Sequence, residues 1–400
     1  MSLIAKRLQT VKPSPTLAVT AKAKELRDQG INIISLAAGE PDFDTPDNIK
    51  EAAIEGIRNG ATRYTNVSGT NELREAVCNK FRRENNLDYD ISEVVVGAGG
   101  KQIIYNLFMA TINEGDEVII PAPYWVSYPD MVMLAGGKPV TVSSDMKNGF
   151  RMHLGDLENA ITDKSKWLIL NSPSNPSGAT YTEDELKSLA DIIRKHPNLN
   201  VMCDDMYEHI TFDGFKFKTL ATTAPDLKDR IFIVSGVSKA YAMTGWRIGY
   251  GAGNKEIVKA MTVIQSQSTS NPSSVSQVAA LEALTGSQDH LKTNASIFQE
   301  KRDLVLSMIN KIEGLDCYKS EGAFYLFPNC KNLFGKKTPN GTTINSSNAL
   351  ATYLLEEAHV AIVAGIAFGL EGYFRISYAT SKEILEDACS RISNAISRLS

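Results

Sequence analysis

The sequence predicts an α/β fold: a mostly parallel seven-stranded sheet with helices on both faces, joined to a smaller α+β domain. Three observations predict it. Short β-rich runs, Gly/Pro/Ser turns and helical patterns recur in that order from about residue 46 to about residue 285. Several of the runs lack apolar/polar alternation, as strands covered on both faces do. Beyond residue 285 the order changes to one long charged helical stretch followed by short strand candidates.

The seven runs are 93–96, 117–121, 138–142, 166–170, 200–204, 231–235 and 247–251. Val94-Val95-Val96 and Ile231-Phe232-Ile233-Val234 show the two-sided pattern most plainly. Thr182 with Glu185 three positions on forms a capping box, the pair satisfying amide donors at a helix entry. The charged helical stretch covers 290–312, and short strands are expected at 315–318, 323–326, 360–363 and 373–377. Thr380 and Glu383 repeat the capping box before a closing helix, whereas 327–347, rich in Asn, Gly, Lys, Pro and Ser, reads as a surface loop. The expected division is a large domain over 46–285 and a small domain made of 1–45 and 286–400.

Composition narrows the function. With 400 residues, 43% hydrophobic and 22% charged, this is a globular chain of roughly two to three domains that needs no disulfides. A net charge of −4 gives no electrostatic reason to expect nucleic acid. No apolar run approaches the roughly 18 residues of a membrane span, so no membrane partner is expected. The amino terminus turns basic at Lys6-Arg7, before a signal-peptide core could form, which leads to the expectation of a cytoplasmic protein. The five cysteines form no CxxC pair and the five histidines no HExxH. Inert thiols in a reducing compartment and no metal are expected.

The chemistry centres on Lys239. It follows a strongly β run and precedes another, among small and hydroxyl residues, with Arg247 eight positions later. A lysine at a strand end usually snorkels to solvent. A neighbouring cation, however, depresses a lysine's pKa and leaves free amine to attack a carbonyl. The run SKAYAMTGWRIGY, 238–250, resembles the cofactor-lysine motif of the class I aminotransferases, the pyridoxal-phosphate-dependent family of fold type I.

That resemblance orders the other motifs. Asn171-Ser-Pro-Ser-Asn175-Pro-Ser-Gly178 is similar to the family's NPxNPxG turn; taken alone it is a Pro/Gly loop after a strand. The resemblance implies that the Asn175 amide bonds the cofactor's phenolic oxygen. Asp204-Asp205-Met-Tyr207 resembles D-E-x-Y: Asp204 would keep the pyridine nitrogen protonated, making the ring an electron sink, and Tyr207 would reach the phenolic oxygen. Adjacent Asp205 leaves the choice of aspartate open. The turn Gly97-Ala-Gly99-Gly100-Lys101 fits neither a dinucleotide nor a P-loop fingerprint, since position 102 is Gln and position 95 is Val. A glycine-opened helix start still offers amides to an anion. In the family this turn, 99–101 here, holds the cofactor phosphate with the equivalents of Arg247 and a serine. Gly236 stands where many relatives carry that serine, so Ser235 and Ser238 are both candidates. Trp125 matches the ring that stacks on the pyridine, and Tyr64 the tyrosine that reaches the phosphate of a neighbouring subunit, which implies a homodimer with shared sites.

Substrate recognition follows. Arg375 sits inside an otherwise apolar strand; a buried guanidinium needs an anion, either a structural carboxylate or a ligand's. The resemblance makes it the clamp of the substrate α-carboxylate, assisted by the backbone amide of Gly39, with Trp125 and Asn175 also facing substrate. The chain resembles bacterial aspartate aminotransferases with GGKQ and PYWVSYP motifs, here 99–102 and 123–129. In them the lysine matching Lys101 takes the distal carboxylate, and one matching Lys12 is linked with action on prephenate. The implied activity is transfer of the amino group from aspartate to 2-oxoglutarate, with prephenate as a second acceptor. A broader or aromatic specificity, or a β-lyase on the same scaffold, is the alternative.

Overall fold

A computed structural model describes residues 3–11 and 13–400. Twelve strands run in chain order: β1 (Ile34–Ser35), β2 (Val94–Gly97), β3 (Glu117–Ala122), β4 (Lys138–Ser143), β5 (Ser165–Asn171) and β6 (Asn200–Asp204). They continue with β7 (Ile231–Gly236), β8 (Gly249–Ala252), β9 (Tyr325–Leu326), β10 (Val360–Ala361), β11 (Val363–Ala364) and β12 (Phe374–Ser377). Seven of them form one sheet in the order β2-β8-β7-β6-β5-β3-β4, parallel except for β8, which runs against both its neighbours.

The missing alternation has the expected cause. Val94, Val96, Leu168, Val201, Cys203, Ile231 and Ile233 face one apolar core, while Val95, Trp167, Ile169, Met202, Phe232 and Val234 face another across the sheet. Helices cover both faces. Among them Glu183–Lys195 carries the Thr182 capping box: Thr182 Oγ1 accepts from the Glu185 amide at 3.3 Å and Glu185 Oε2 from the Thr182 amide at 2.7 Å.

A further core gathers Ile34 and Leu36 with Phe298, Tyr325, Phe374, Ile376, Leu385 and Ile392. Its strands form the antiparallel β11-β12-β9 sheet and the parallel β1-β10 pair. The helix Asp289–Ile309 packs on the closing helix Lys382–Ile396.

Four local expectations need correction. Residues 315–318 form no strand: only Asp316 bridges Asn329, although Leu315 and Cys317 are buried. Residues 360–363 divide between β10 and β11, which pair with different partners. The closing helix is capped by Ser381, whose hydroxyl accepts from the Ile384 amide, so Thr380 lies outside it and Glu383 falls one position short of a capping-box partner. The last sheet strand starts at Gly249 rather than 247, because residues 244–246 form a 3-10 turn and Arg247 is left-handed, with φ 56°. From that turn Arg247 Nη2 donates to the Ala98 carbonyl at 3.4 Å, beyond the end of β2.

Candidate active site

Asn171, Asp204 and Gly236 end β5, β6 and β7, parallel strands whose carboxyl ends open one crevice. A cavity of about 500 Å³ lies there. Its walls include Gly39, Gly100, Lys101, Trp125, Asn175 and Asp204, together with Tyr207, Ser238, Lys239, Arg247 and Arg375. Ser235 and Tyr64 are not among the lining residues. The Ser235 hydroxyl is buried and donates to Glu208 at 3.0 Å, which leaves Ser238 as the cavity-facing serine. Tyr64 is 91% exposed and reaches nothing in its own cavity. Lys12 lies outside the described residues.

Lys239 is only half-buried, and its Nζ donates to the Gly39 carbonyl at 2.6 Å. This bond engages the Gly39 carbonyl, a different group from the amide that the resemblance implies for the substrate carboxylate. Burial lowers the Lys239 ammonium to about 8; Glu40 opposes the shift, and Arg375 and Arg247 add to it. The cavity therefore holds a lysine that is about one-tenth free amine at pH 7.

Arg375 is buried on β12. Its Nη1 donates to Asn175 Oδ1 at 2.9 Å and its Nη2 to the Ala37 carbonyl at 2.6 Å, while Nε has no partner. No ion pair of Arg375 is found among the described residues. A buried guanidinium without a counter-ion, aimed into a cavity, calls for an anion. On the same wall Lys101 lies 4.9 Å from the Trp125 ring, and burial together with Arg247 lowers its ammonium.

Asp204 accepts from Tyr128 Oη at 2.6 Å, and burial holds its carboxyl above the usual range against the Tyr128 and Met206 donors. A cationic ring nitrogen opposite would supply the charge this carboxylate lacks. Asp205 is also buried but points away from the cavity wall. Asn171 Nδ2 donates to the Asp204 carbonyl at 2.9 Å and its Oδ1 accepts from the Asn175 amide at 2.8 Å, tying the turn of Asn175 to the end of β6.

The helix Gly100–Thr111 opens on Gly99, at φ 89°. A Cβ there would sit 2.5 Å from Arg247 Nη2, so glycine lets the guanidinium reach the helix start. Gly100, Arg247 and Ser238 line one end of the cavity, a set suited to a phosphate, and the lysine amine, the acidic Asp204 and the Tyr207 phenol line the rest. The residues present fit pyridoxal phosphate. Sequence reasoning missed Tyr128 and Tyr325. Tyr128 stands three residues after Trp125, just inside the helix Ser127–Leu134, which was a usable signal; Tyr325 gave none beyond lying in an apolar strand.

Residues 31–392 match the family Aminotransferase class I and II. The chain is 64% identical over 399 residues, all of both chains, to a Rickettsia bellii protein named probable aspartate/prephenate aminotransferase. It is 56% identical over 392 residues, 98% of each chain, to the aspartate/prephenate aminotransferase of Cereibacter sphaeroides. Its structure superposes on the aspartate aminotransferase of Rhizobium meliloti with a TM-score of 0.97 at 50% identity, over 100% of both chains.

Proposed function

The chain belongs to the class I and II aminotransferases, pyridoxal-phosphate enzymes, and on that premise we propose that it transfers the amino group of L-aspartate to 2-oxoglutarate, yielding oxaloacetate and L-glutamate, and accepts prephenate as well. The observation that carries the substrate class is the buried Arg375 without a counter-ion, in one cavity with Lys101. Two cations there suit a dicarboxylate: Arg375 takes the α-carboxylate with its planar fork and Lys101 the distal one as a point charge.

Pyridoxal phosphate, when bound, supplies an electrophilic aldehyde and a conjugated ring that takes up the electron pair released at a substrate's Cα. The chain supplies the rest. Lys239 provides the amine that holds the aldehyde and, once free, moves the Cα proton as general base and acid. Asp204, Asn175 and Tyr207 would hold the ring by its nitrogen and phenolic oxygen, Trp125 would pack on it, and Gly99, Gly100, Ser238 and Arg247 would hold the phosphate. Ser235 serves only behind the wall.

We further place Tyr64 in the phosphate site of a second copy of the chain. The exposure of Tyr64, and of Ile54 and Ile57 on the helix before it, supports a homodimer. The division at 45/46 and 285/286 makes Gly39 and Arg375 small-domain groups facing a large-domain Lys239.

A coupled assay for oxaloacetate from aspartate and 2-oxoglutarate tests this reading. Release of pyruvate and ammonia from the amino acid in place of amino transfer would identify a β-lyase instead.

A further inference from the structure

We propose that Tyr325 is a positioning residue with two ends: its hydroxyl sets the donor strength of Tyr207, and its ring holds the Arg375 guanidinium in line for a carboxylate. The proposal rests on the roles given above to Tyr207 and Arg375, and it concerns a residue to which those roles assign nothing.

Tyr325 is fully buried on β9 and lines the cavity. The register pairs it with Ser377 of β12, which places Arg375, two residues along, on the same face of the sheet within diagonal reach. The Arg375 Cζ lies 4.5 Å from the Tyr325 ring centroid, with Phe368 second at 5.0 Å. The Tyr325 and Tyr207 hydroxyls are 2.9 Å apart. Gly39 explains how the hydroxyl fits: a Cβ at 39 would come within 2.8 Å of Tyr325 Oη.

The direction of the hydroxyl bond follows from counting protons. A phenol has a single hydrogen to give. If Tyr207 donates its own to the cofactor's phenolic oxygen, the hydrogen in the tyrosine pair must come from Tyr325. Burial raises both phenols, so both stay protonated across the working range. Each donor in such a chain polarises the next, so Tyr325 makes Tyr207 the stronger donor. The ring end acts separately, through the attraction of its face for the guanidinium.

The two ends can be separated in the loaded enzyme. Tyr325→Phe removes the hydroxyl and keeps the ring; Tyr325→Leu removes both, with Tyr325→Met as the second choice should the leucine variant not fold. One readout is the pH midpoint of the visible absorption band. The other is the dissociation constant of succinate, a dicarboxylate without an amino group, by calorimetry. Tyr325→Phe should raise the midpoint by about half a pH unit, since a weaker Tyr207 donor stabilises a phenolate less, and leave succinate binding within about twofold. Tyr325→Leu should shift the midpoint alike and weaken succinate roughly three- to tenfold. An unmoved midpoint in Tyr325→Phe, or equal losses of succinate binding in both variants, overturns the proposal. A wild-type chain that gains no visible band refutes the functional reading itself, a distinguishable failure.

Discussion

Lys239 Nζ donates at 2.6 Å to the carbonyl oxygen of Gly39, a residue 200 positions earlier in the chain. The bond brings the segment entering the small core against the end of the large sheet, and it is the contact an amine must give up to react. Burial has already lowered this ammonium to about 8. Because only the neutral amine reacts, the rate of Lys239 modification by an acylating reagent in the cofactor-free chain should rise with a midpoint near pH 8. An ordinary surface lysine would reach its midpoint above pH 10. Peptide mapping by mass spectrometry gives both rates from one sample.

Replacing Lys239 by alanine should remove the visible band and lower turnover by at least about a thousandfold, since positioned proton transfer is lost along with the tether. Steady-state assay and an absorption spectrum check this together.

Arg375→Lys keeps the charge and loses the fork. It should reduce kcat/KM for aspartate and for 2-oxoglutarate by roughly ten- to a hundredfold each, as expected when a charge-assisted bidentate contact becomes a single one. A loss confined to one of the two substrates would contradict the clamp.

Lys101→Ala should cost aspartate about ten- to a hundredfold in kcat/KM and alanine less than about threefold. The ratio of the two is the measurement, and equal losses would speak against a dicarboxylate site.

Ser381, one residue after Thr380, caps the closing helix. Ser381→Ala should destabilise the chain by about 1 kcal/mol, whereas Thr380→Ala should stay within about 0.5 kcal/mol. Urea unfolding of the two variants compares them directly.

What the sequence revealed and what it hid divide along physical lines. The sheet strands were legible because two-sided burial leaves unbroken apolar runs, as in 231–234, and the Thr182 cap because its chemistry is local. Thr380 and Ser381 compete as caps one residue apart, and local composition does not rank them. The short strands of the second core were blurred because β9, β10 and β11 are two residues each, too short for a period. At the site, Ser235 and Ser238 could not be separated by sequence: what decides is that Glu208 occupies the Ser235 hydroxyl. Likewise Asp204 lines the cavity whereas Asp205 is not among its lining residues. Tyr325 was invisible because its role exists only through strand register, opposite Ser377 and diagonal to Arg375.

The most direct test of the whole account is the half-reaction of the purified, pyridoxal-phosphate-loaded protein, followed by absorbance with one amino acid at a time. Aspartate and glutamate should each bleach the visible band rapidly and the matching oxo acid should restore it, while alanine and phenylalanine act far more slowly. A band indifferent to aspartate, or one bleached equally by all four, would contradict the proposed function.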